Sequence, residues 1–286
     1  MISPALRYHG GKYRLAPWII DFFPKHECYV ESFGGAAGVL LQKPRSYAEV
    51  YNDLDGQVVN FFRVIRDPET RQQLISALER TPYARAEFEA AKLDSGDDPI
   101  EQARCLAIKA WMGFGSAGAT KKSTGFRIYT KKMFSLAMKT WSDYPNRLDI
   151  IGERFGGVLI ENRPAVEVIL KHDTPETLHY VDPPYMFRTR FKGADREGIY
   201  QHEMSDDEHV ELLDTLNGLK GYVVLSGYES DIYNDKLQGW QKHTTEARVS
   251  MSRGTGIKTE CLWINPACAE ALEREHVQLS LFAEAV

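Results

Sequence analysis

The chain of 286 residues has few of the features that mark a secreted, metal-centred or membrane protein. Its four cysteines, Cys28, Cys105, Cys261 and Cys268, stand apart, with no Cys-x-x-Cys step and no histidines at ligand spacing. A disulfide framework and a metal centre are therefore not expected, and the cysteines read as core thiols. No apolar run approaches the roughly 18 residues of a membrane-spanning helix. The start Met1-Ile2-Ser3-Pro4-Ala5-Leu6-Arg7 lacks the apolar stretch of a signal peptide, so a cytoplasmic protein is expected. Internal repeats and low-complexity tracts are missing, and the glycine turn after the first strand has the spacing Phe-x-Gly-x-Ala-Gly in place of the Gly-x-Gly-x-x-Gly dinucleotide fingerprint. A net charge of −5 excludes indiscriminate coating of nucleic acid. One absence is local: between Gln102 and Ser142 there is no Asp or Glu, while Arg104, Lys109, Lys121, Lys122, Arg127, Lys131, Lys132 and Lys139 all fall there.

What is present begins with Asp182-Pro183-Pro184-Tyr185, behind the apolar run Leu178-His179-Tyr180-Val181. The prolines fix φ at about −65° and remove two N–H donors, leaving the Asp182 carboxylate and the Pro183 carbonyl as acceptors. An exocyclic amino group offers two matching donors. Tyr185 adds a ring on which a heterocycle can stack, a contact worth about 1–3 kcal/mol in single-stranded nucleic-acid sites. Asp-Pro-Pro is also an ordinary way to end a strand, so the reading depends on the rest of the chain.

Cys28 to Val30 reads as a short strand running into Glu31-Ser32-Phe33-Gly34-Gly35-Ala36-Ala37-Gly38 and a helix start at Val39. Ala48 to Tyr51 follows as a second strand ending on Asn52-Asp53. Strand, glycine turn, helix and strand open a doubly wound, Rossmann-like α/β sheet, in which an acid in the place of Asp53 can bind both hydroxyls of a ribose. From 57 to about 150 the pattern is mostly helical, which predicts an insertion bearing a basic loop or hairpin, with 1–56 and 151–286 forming the sheet domain. Strands resume at Gly157–Asn162, Tyr180–Val181 and Tyr222–Ser226, and Lys242–Ser250 with Lys258–Ile264 predict an antiparallel hairpin at the sheet edge. Asn162 at its strand end is either a hydrogen-bond partner for a nucleotide's adenine or a plain strand-end cap.

Four segments occur in a telling order: Arg7-Tyr8-His9-Gly10-Gly11-Lys12, Tyr29-Val30-Glu31-Ser32-Phe33-Gly34-Gly35, Asn52-Asp53 and Asp182-Pro183-Pro184-Tyr185. Over most of its length the chain thereby resembles the Dam-like, alpha-group DNA adenine-N6 methyltransferases, of phage or prophage type, which use S-adenosylmethionine. The resemblance implies that Tyr8, Gly10 and Lys12 border the methionine part of the cofactor or the entering base. It implies that Glu31, Phe33 and Gly35 line the cofactor, that Asp53 binds its ribose, and that the helical insertion is a target-recognition domain. The family usually has Pro where Ser32 stands and Gly where Ala37 stands.

The implied reaction fits the tetrapeptide. Adenine's amino nitrogen is a poor nucleophile because its lone pair is delocalised, and accepting both N–H bonds on Asp182 and the Pro183 carbonyl favours a more nucleophilic nitrogen. The target base must leave the duplex, which calls for phosphate grips: Arg188, Arg190 and Lys192 on one side, and Lys121, Lys122, Arg127, Lys131 and Lys132 on the other. After a polar helix at Ala269–His276, the stretch Gln278-Leu279-Ser280-Leu281-Phe282 resembles the bacterial sliding-clamp binding peptide, through Gln278, Leu279, Leu281 and Phe282. Two alternatives stay open: N4 methylation of cytosine, and a catalytically silent DNA- or clamp-binding protein that keeps the fold.

Overall fold

The computed structural model describes residues 2–93, 95–115, 124–128, 136–186, 189, 202–251 and 254–284, side chains excepted at 136, 248–251, 254–255 and 279–284. Its centre is a seven-stranded sheet: β1 (Cys28–Glu31), β2 (Ala48–Asn52), β3 (Leu159–Glu161), β4 (Thr177–Val181), β5 (Tyr222–Gly227), β6 (Gln241–Met251) and β7 (Gly254–Ile264). The spatial order is β3-β2-β1-β4-β5-β7-β6, with β7 antiparallel to both its neighbours and the other pairs parallel. The predicted edge hairpin is β6–β7. The predicted strand from Gly157 starts two residues later, because Gly157 takes a φ of 84° to turn the chain out of the preceding helix.

The helices are α1 (Ala16–Ile20), α2 (Gly56–Arg66), α3 (Pro68–Glu79), α4 (Arg85–Ala90), α5 (Pro99–Met112), α6 (Leu136–Asp143), α7 (Leu148–Phe155), α8 (Ala165–Lys171), α9 (Asp206–Asn217), α10 (Asp231–Lys236) and α11 (Pro266–Glu284). Their starts are written locally. Asp55, Asp67 and Asp98 accept backbone N–H groups of the first turns of α2, α3 and α5, and Ser205 with Glu208 forms a capping box on α9. Beyond Pro266, α11 meets no glycine or proline and runs past the expected end at His276 through 278–282.

Strand alternation sorts side chains onto two faces. Leu178, Tyr180, Val224, Leu262 and Ile264 join a core with residues of α1, α2, α3, α5, α7 and α11. Val181, Val223, Leu225, Cys261 and Trp263 join a second core with Ile169 of α8, Leu212, Leu213 and Leu216 of α9, and Tyr233 of α10. The result is a three-layer α/β arrangement. The helical segment is the crossover from β2 to β3, and it shares its core with the sheet: Phe62 of α2 stacks on Phe155 of α7 at 4.3 Å and meets Tyr51 of β2 at 4.8 Å. The boundary expected near residue 150 falls inside α7. Cys105, Cys261 and Cys268 are buried thiols, and Cys28 is half-buried.

Candidate active site

The carboxyl ends of β1, β2 and β4 meet at the point where strand order reverses, the usual position for a ligand crevice in an open α/β sheet. The turn after β1 is drawn against β2 by Gly34 N–H donating to the Asn52 carbonyl at 2.7 Å and by Tyr51 O–H donating to the Gly35 carbonyl at 2.7 Å. A Cβ at Gly34 would overlap the Tyr51 ring, and one at Gly38 would lie 2.9 Å from the Tyr13 nitrogen. These glycines therefore allow a backbone approach that other residues block. Gly35 has φ 47°, and Ala37 adopts φ 55° while fully buried, a left-handed conformation costing a non-glycine residue about 1–2 kcal/mol. The departure from glycine at Ala37 is thus carried as backbone strain. Ser32, the other departure, buries its hydroxyl without a hydrogen-bond partner among the described residues.

Carboxylates dominate the cleft, which encloses about 940 Å³ with its open mouth included. Asp53 accepts Gly35 N–H at 2.7 Å and Asp55 N–H at 2.8 Å, and burial, followed by repulsion from Asp55, raises its pKa to about 6. Glu31 accepts Tyr29 O–H at 2.6 Å and Leu40 N–H at 2.8 Å. Burial lifts it to about 8, with Asp182 adding to the rise. Lys12 donates to the Gly10 carbonyl and to Asp182 Oδ2, both at 2.9 Å. Asp182 Oδ1 is also 2.9 Å from the ammonium, yet has no hydrogen-bond partner among the described residues. Burial raises the pKa of Asp182 above its ordinary value; Lys12 offsets this in part and Glu260 adds to it. The site therefore presents a desolvated carboxylate with one lone-pair face unspent.

Tyr8, Gly10, Lys12, Glu31, Phe33, Gly35, Asp53, Asp182, Pro183 and Pro184 all line this cleft. Tyr185 lies behind it: the ring is buried, Lys12 Nζ sits 4.7 Å from its centroid, Tyr228 packs edge-on at 4.5 Å, and its hydroxyl donates to Glu260 at 2.8 Å. Asn162 is not among the lining residues. Its side-chain amide donates to the Asp53 and Leu54 carbonyls at 2.7 and 3.2 Å, so in this structure it secures the Asp53 loop, which favours the cap over the adenine partner. Asn52 acts likewise, tying Ser32 to Arg163 across β2.

Of the expected DNA-facing residues, Arg127 is described, and Lys121, Lys122, Lys131, Lys132, Arg188, Arg190 and Lys192 lie outside the described residues. Arg127 follows a bridge between Gly113 and Phe126 that continues α5, and its carbonyl accepts Tyr83 O–H at 2.8 Å. Its charge reaches Arg7, whose pKa falls through burial first and then through Arg127. Gln278 is exposed on α11; the side chains of Leu279, Leu281 and Phe282 lie outside the described residues. Sequence reasoning missed the lip of the cleft formed by His202, Glu203, Met204 and Glu208. Ser205 and Glu208 at capping-box spacing were a usable sign of a helix start there, though not of what it faces.

Residues 8–252 match the family model for D12 class N6 adenine-specific DNA methyltransferases. The chain belongs to that family. A D12 class enzyme transfers a methyl group to the N6 amino nitrogen of adenine in DNA, so this chain is a methyltransferase with a DNA substrate. No curated protein matches the chain significantly. Among solved structures, precorrin-8w decarboxylase from Methanobacterium thermoautotrophicum aligns over 88% of both chains at 12% identity, with a TM-score of 0.34, too distant to add to the family assignment. Among the described residues no helix is long and apolar enough to cross a membrane, and no His, Cys, Asp and Glu cluster could hold a metal ion.

Proposed function

We propose that this D12 class methyltransferase is a Dam-like, alpha-group enzyme of phage or prophage type. It takes its methyl group from S-adenosylmethionine bound over the Gly34–Gly38 turn and delivers it to an adenine flipped out of duplex DNA. The buried Oδ1 atom of Asp182, ion-paired with Lys12 but without a hydrogen-bond partner among the described residues, is the observation that carries this reading. That oxygen and the Pro183 carbonyl are the two acceptors for the amino hydrogens.

The residues suit a cationic nucleoside better than a dinucleotide. Glu31, Asp53, Asp55, Asp182, Glu203 and Glu208 border one cleft. A pyrophosphate would meet repulsion there, whereas a sulfonium is attracted and a ribose diol can donate to Asp53. S-adenosylmethionine supplies an electrophilic methyl when bound. Asp182 orients the amino group, favours withdrawal of the nitrogen lone pair from ring conjugation by accepting an N–H, and stabilises positive charge developing on nitrogen. Lys12 favours the ionised form of Asp182 against the opposing effect of burial. Tyr185 offers its ring to the base only as Lys12 leaves that face.

DNA is held, in this reading, by the α2–α7 crossover and the basic segment that follows α5, as a target-recognition element within 57–150. Exposed Phe114 and Ile128 beside Arg127 support it, since apolar side chains next to a cation suit a groove wall. Lys121, Lys122, Lys131 and Lys132 on this side, and Arg188, Arg190 and Lys192 on the other, are the proposed phosphate grips. Gln278, Leu279, Leu281 and Phe282 are proposed to engage a bacterial sliding clamp, with a cytoplasmic setting implied. Deleting 278–286 should then abolish co-elution with a clamp, and co-elution that persists would end this assignment. For the main reading, labelled S-adenosylmethionine and unmethylated duplex DNA should yield N6-methyladenine on nucleoside analysis. A product of N4-methylcytosine, or no product, would overturn it.

A further inference from the structure

Glu260 stands where strand alternation calls for an apolar residue. On β7 it shares a face with Leu262 and Ile264, both buried in the core, and it is itself only 7% exposed. A buried carboxylate on such a stripe costs folding free energy unless its partner needs it. Its partner is the Tyr185 hydroxyl, at 2.8 Å. Lys258, two residues earlier on β7, places its ammonium 4.5 Å from the Tyr228 ring centroid, and Tyr228 in turn packs edge-on against Tyr185. β7 therefore braces the tetrapeptide's tyrosine from behind the cleft.

The Tyr185 hydroxyl carries one proton, and two carboxylates can use it. Its hydrogen bonding toward Asp182 favours that residue's ionised form, while its short hydrogen bond, at 2.8 Å, goes to Glu260. We propose that Glu260 is a positioning residue that claims the Tyr185 hydroxyl proton, so that Asp182 Oδ1, ion-paired with Lys12, keeps a hydrogen-bonding position available for the amino group of the target base. Without Glu260, the hydroxyl would turn to Asp182, fill that lone-pair position and make the carboxylate a weaker acceptor. Among the described residues, the charged and titratable groups facing Asp182 are Lys12, Glu31, Tyr180, Tyr185, Tyr233 and Glu260.

This inference rests on the methyl-transfer reading above, and a suppressor series separates the two. Glu260→Ala should lower kcat by about 10- to 100-fold, the size of a misplaced hydrogen bond to a charged group, with S-adenosylmethionine binding by calorimetry unchanged. Glu260→Gln, whose carbonyl still accepts the hydroxyl, should recover most of that loss and move the acidic limb of the kcat profile to lower pH. The double variant Glu260→Ala, Tyr185→Phe should transfer methyl faster than Glu260→Ala alone, because the competing donor is gone. A merely structural Glu260 predicts the reverse, a double variant as slow as Glu260→Ala or slower, and that result would overturn the proposal. So would a Glu260→Gln acidic limb that does not move. Should Glu260→Ala fail to fold, the Glu260→Gln profile alone decides. Wild type without adenine methylation would sink the underlying reading; active wild type with an indifferent Glu260→Ala would sink only the role of Glu260.

Discussion

Two carboxylates at opposite ends of the parallel strands, Glu49 buried and Asp182 half-buried, are treated in opposite ways. At the amino end of β2, Glu49 receives a bidentate pair from Arg154 at 2.6 and 2.8 Å and a third hydrogen bond from Lys43 at 2.7 Å. Burial pushes this carboxyl up, but the hydrogen bonds and charges of Arg154 and Lys43 more than reverse it, and it settles below its ordinary value. At the carboxyl end of β4, Asp182 is ion-paired with Lys12, with Glu260 and Glu31 close by, and its Oδ1 has no hydrogen-bond partner among the described residues. Its pKa is raised. The first arrangement spends the carboxylate's acceptors on joining the post-turn loop, β2 and α7; the second, in the proposed function, keeps acceptors back for a substrate. Full pairing marks the structural end of this sheet and incomplete pairing the chemical end.

The sharpest way to break this contrast is at Asp182. Asp182→Asn should reduce labelled methyl transfer by about a thousandfold or more while leaving the melting temperature within a few degrees, since the position is not a fold clamp. Transfer that survives would remove Asp182 from the chemistry. At the other end, Arg154→Ala should lower unfolding free energy by about 3–5 kcal/mol, because Glu49 is left buried with one partner fewer. Urea unfolding measures this, and kcat per folded molecule should hold at wild-type level. A loss below about 1 kcal/mol would place the pair with ordinary surface bridges.

The two ends should also respond to pH with opposite sign. Glu31 is raised from 4.5 to about 8, so the native state holds its proton longer than the unfolded chain, and stability from this group is present at low pH and lost as pH rises from about 4.5 to 8. Glu49 is lowered, so its contribution is present above the unfolded value and lost as pH falls through the folded one. Glu31→Gln should therefore gain on the order of 2–3 kcal/mol over wild type at pH 8, about half the ceiling that linkage sets. Glu49→Gln should lose stability at neutral pH and lose little more on acidification. Parallel pH–denaturation curves for the two variants would contradict the contrast. The smallest expected effect is at Ala37. Ala37→Gly removes about 1–2 kcal/mol of left-handed strain but adds about 0.4–1 kcal/mol of unfolded-chain entropy, for a net gain of about 0.5 kcal/mol by chemical denaturation. A clear loss would mean that the Ala37 methyl group packs better than its backbone is strained.

Much of the site was legible because its parts are local. The glycine turn, Asn52-Asp53 and the prolines of the tetrapeptide each act through backbone geometry that neighbouring residues dictate, and strand periodicity places them at strand ends. Asn162 left two readings open because a strand-end amide has the same sequence appearance whether it faces a ligand or a loop; in this structure its amide donates to the Asp53 and Leu54 carbonyls. Glu260 was not legible: nothing near Cys261 or Thr259 announces that a residue seventy-five positions before it holds out a hydroxyl. The helical crossover was recognised as helical from its apolar spacing, but that spacing could not show that Phe62 and Phe155 would stack into the sheet's own core.

By itself the sequence determined an α/β sheet with a glycine turn after its first strand, an acid after its second and Asp-Pro-Pro-Tyr after its fourth. These follow from periodicity and from residues whose φ or hydrogen-bonding capacity is intrinsic. Only the tertiary structure decided which carboxylates are fully paired and which are left open, because burial and the distance to a cation depend on segments far apart in the chain. Lys12 reaches Asp182 across 170 positions, and that contact, with Tyr185 turned toward Glu260, makes a strand-end motif into a site with one acceptor waiting.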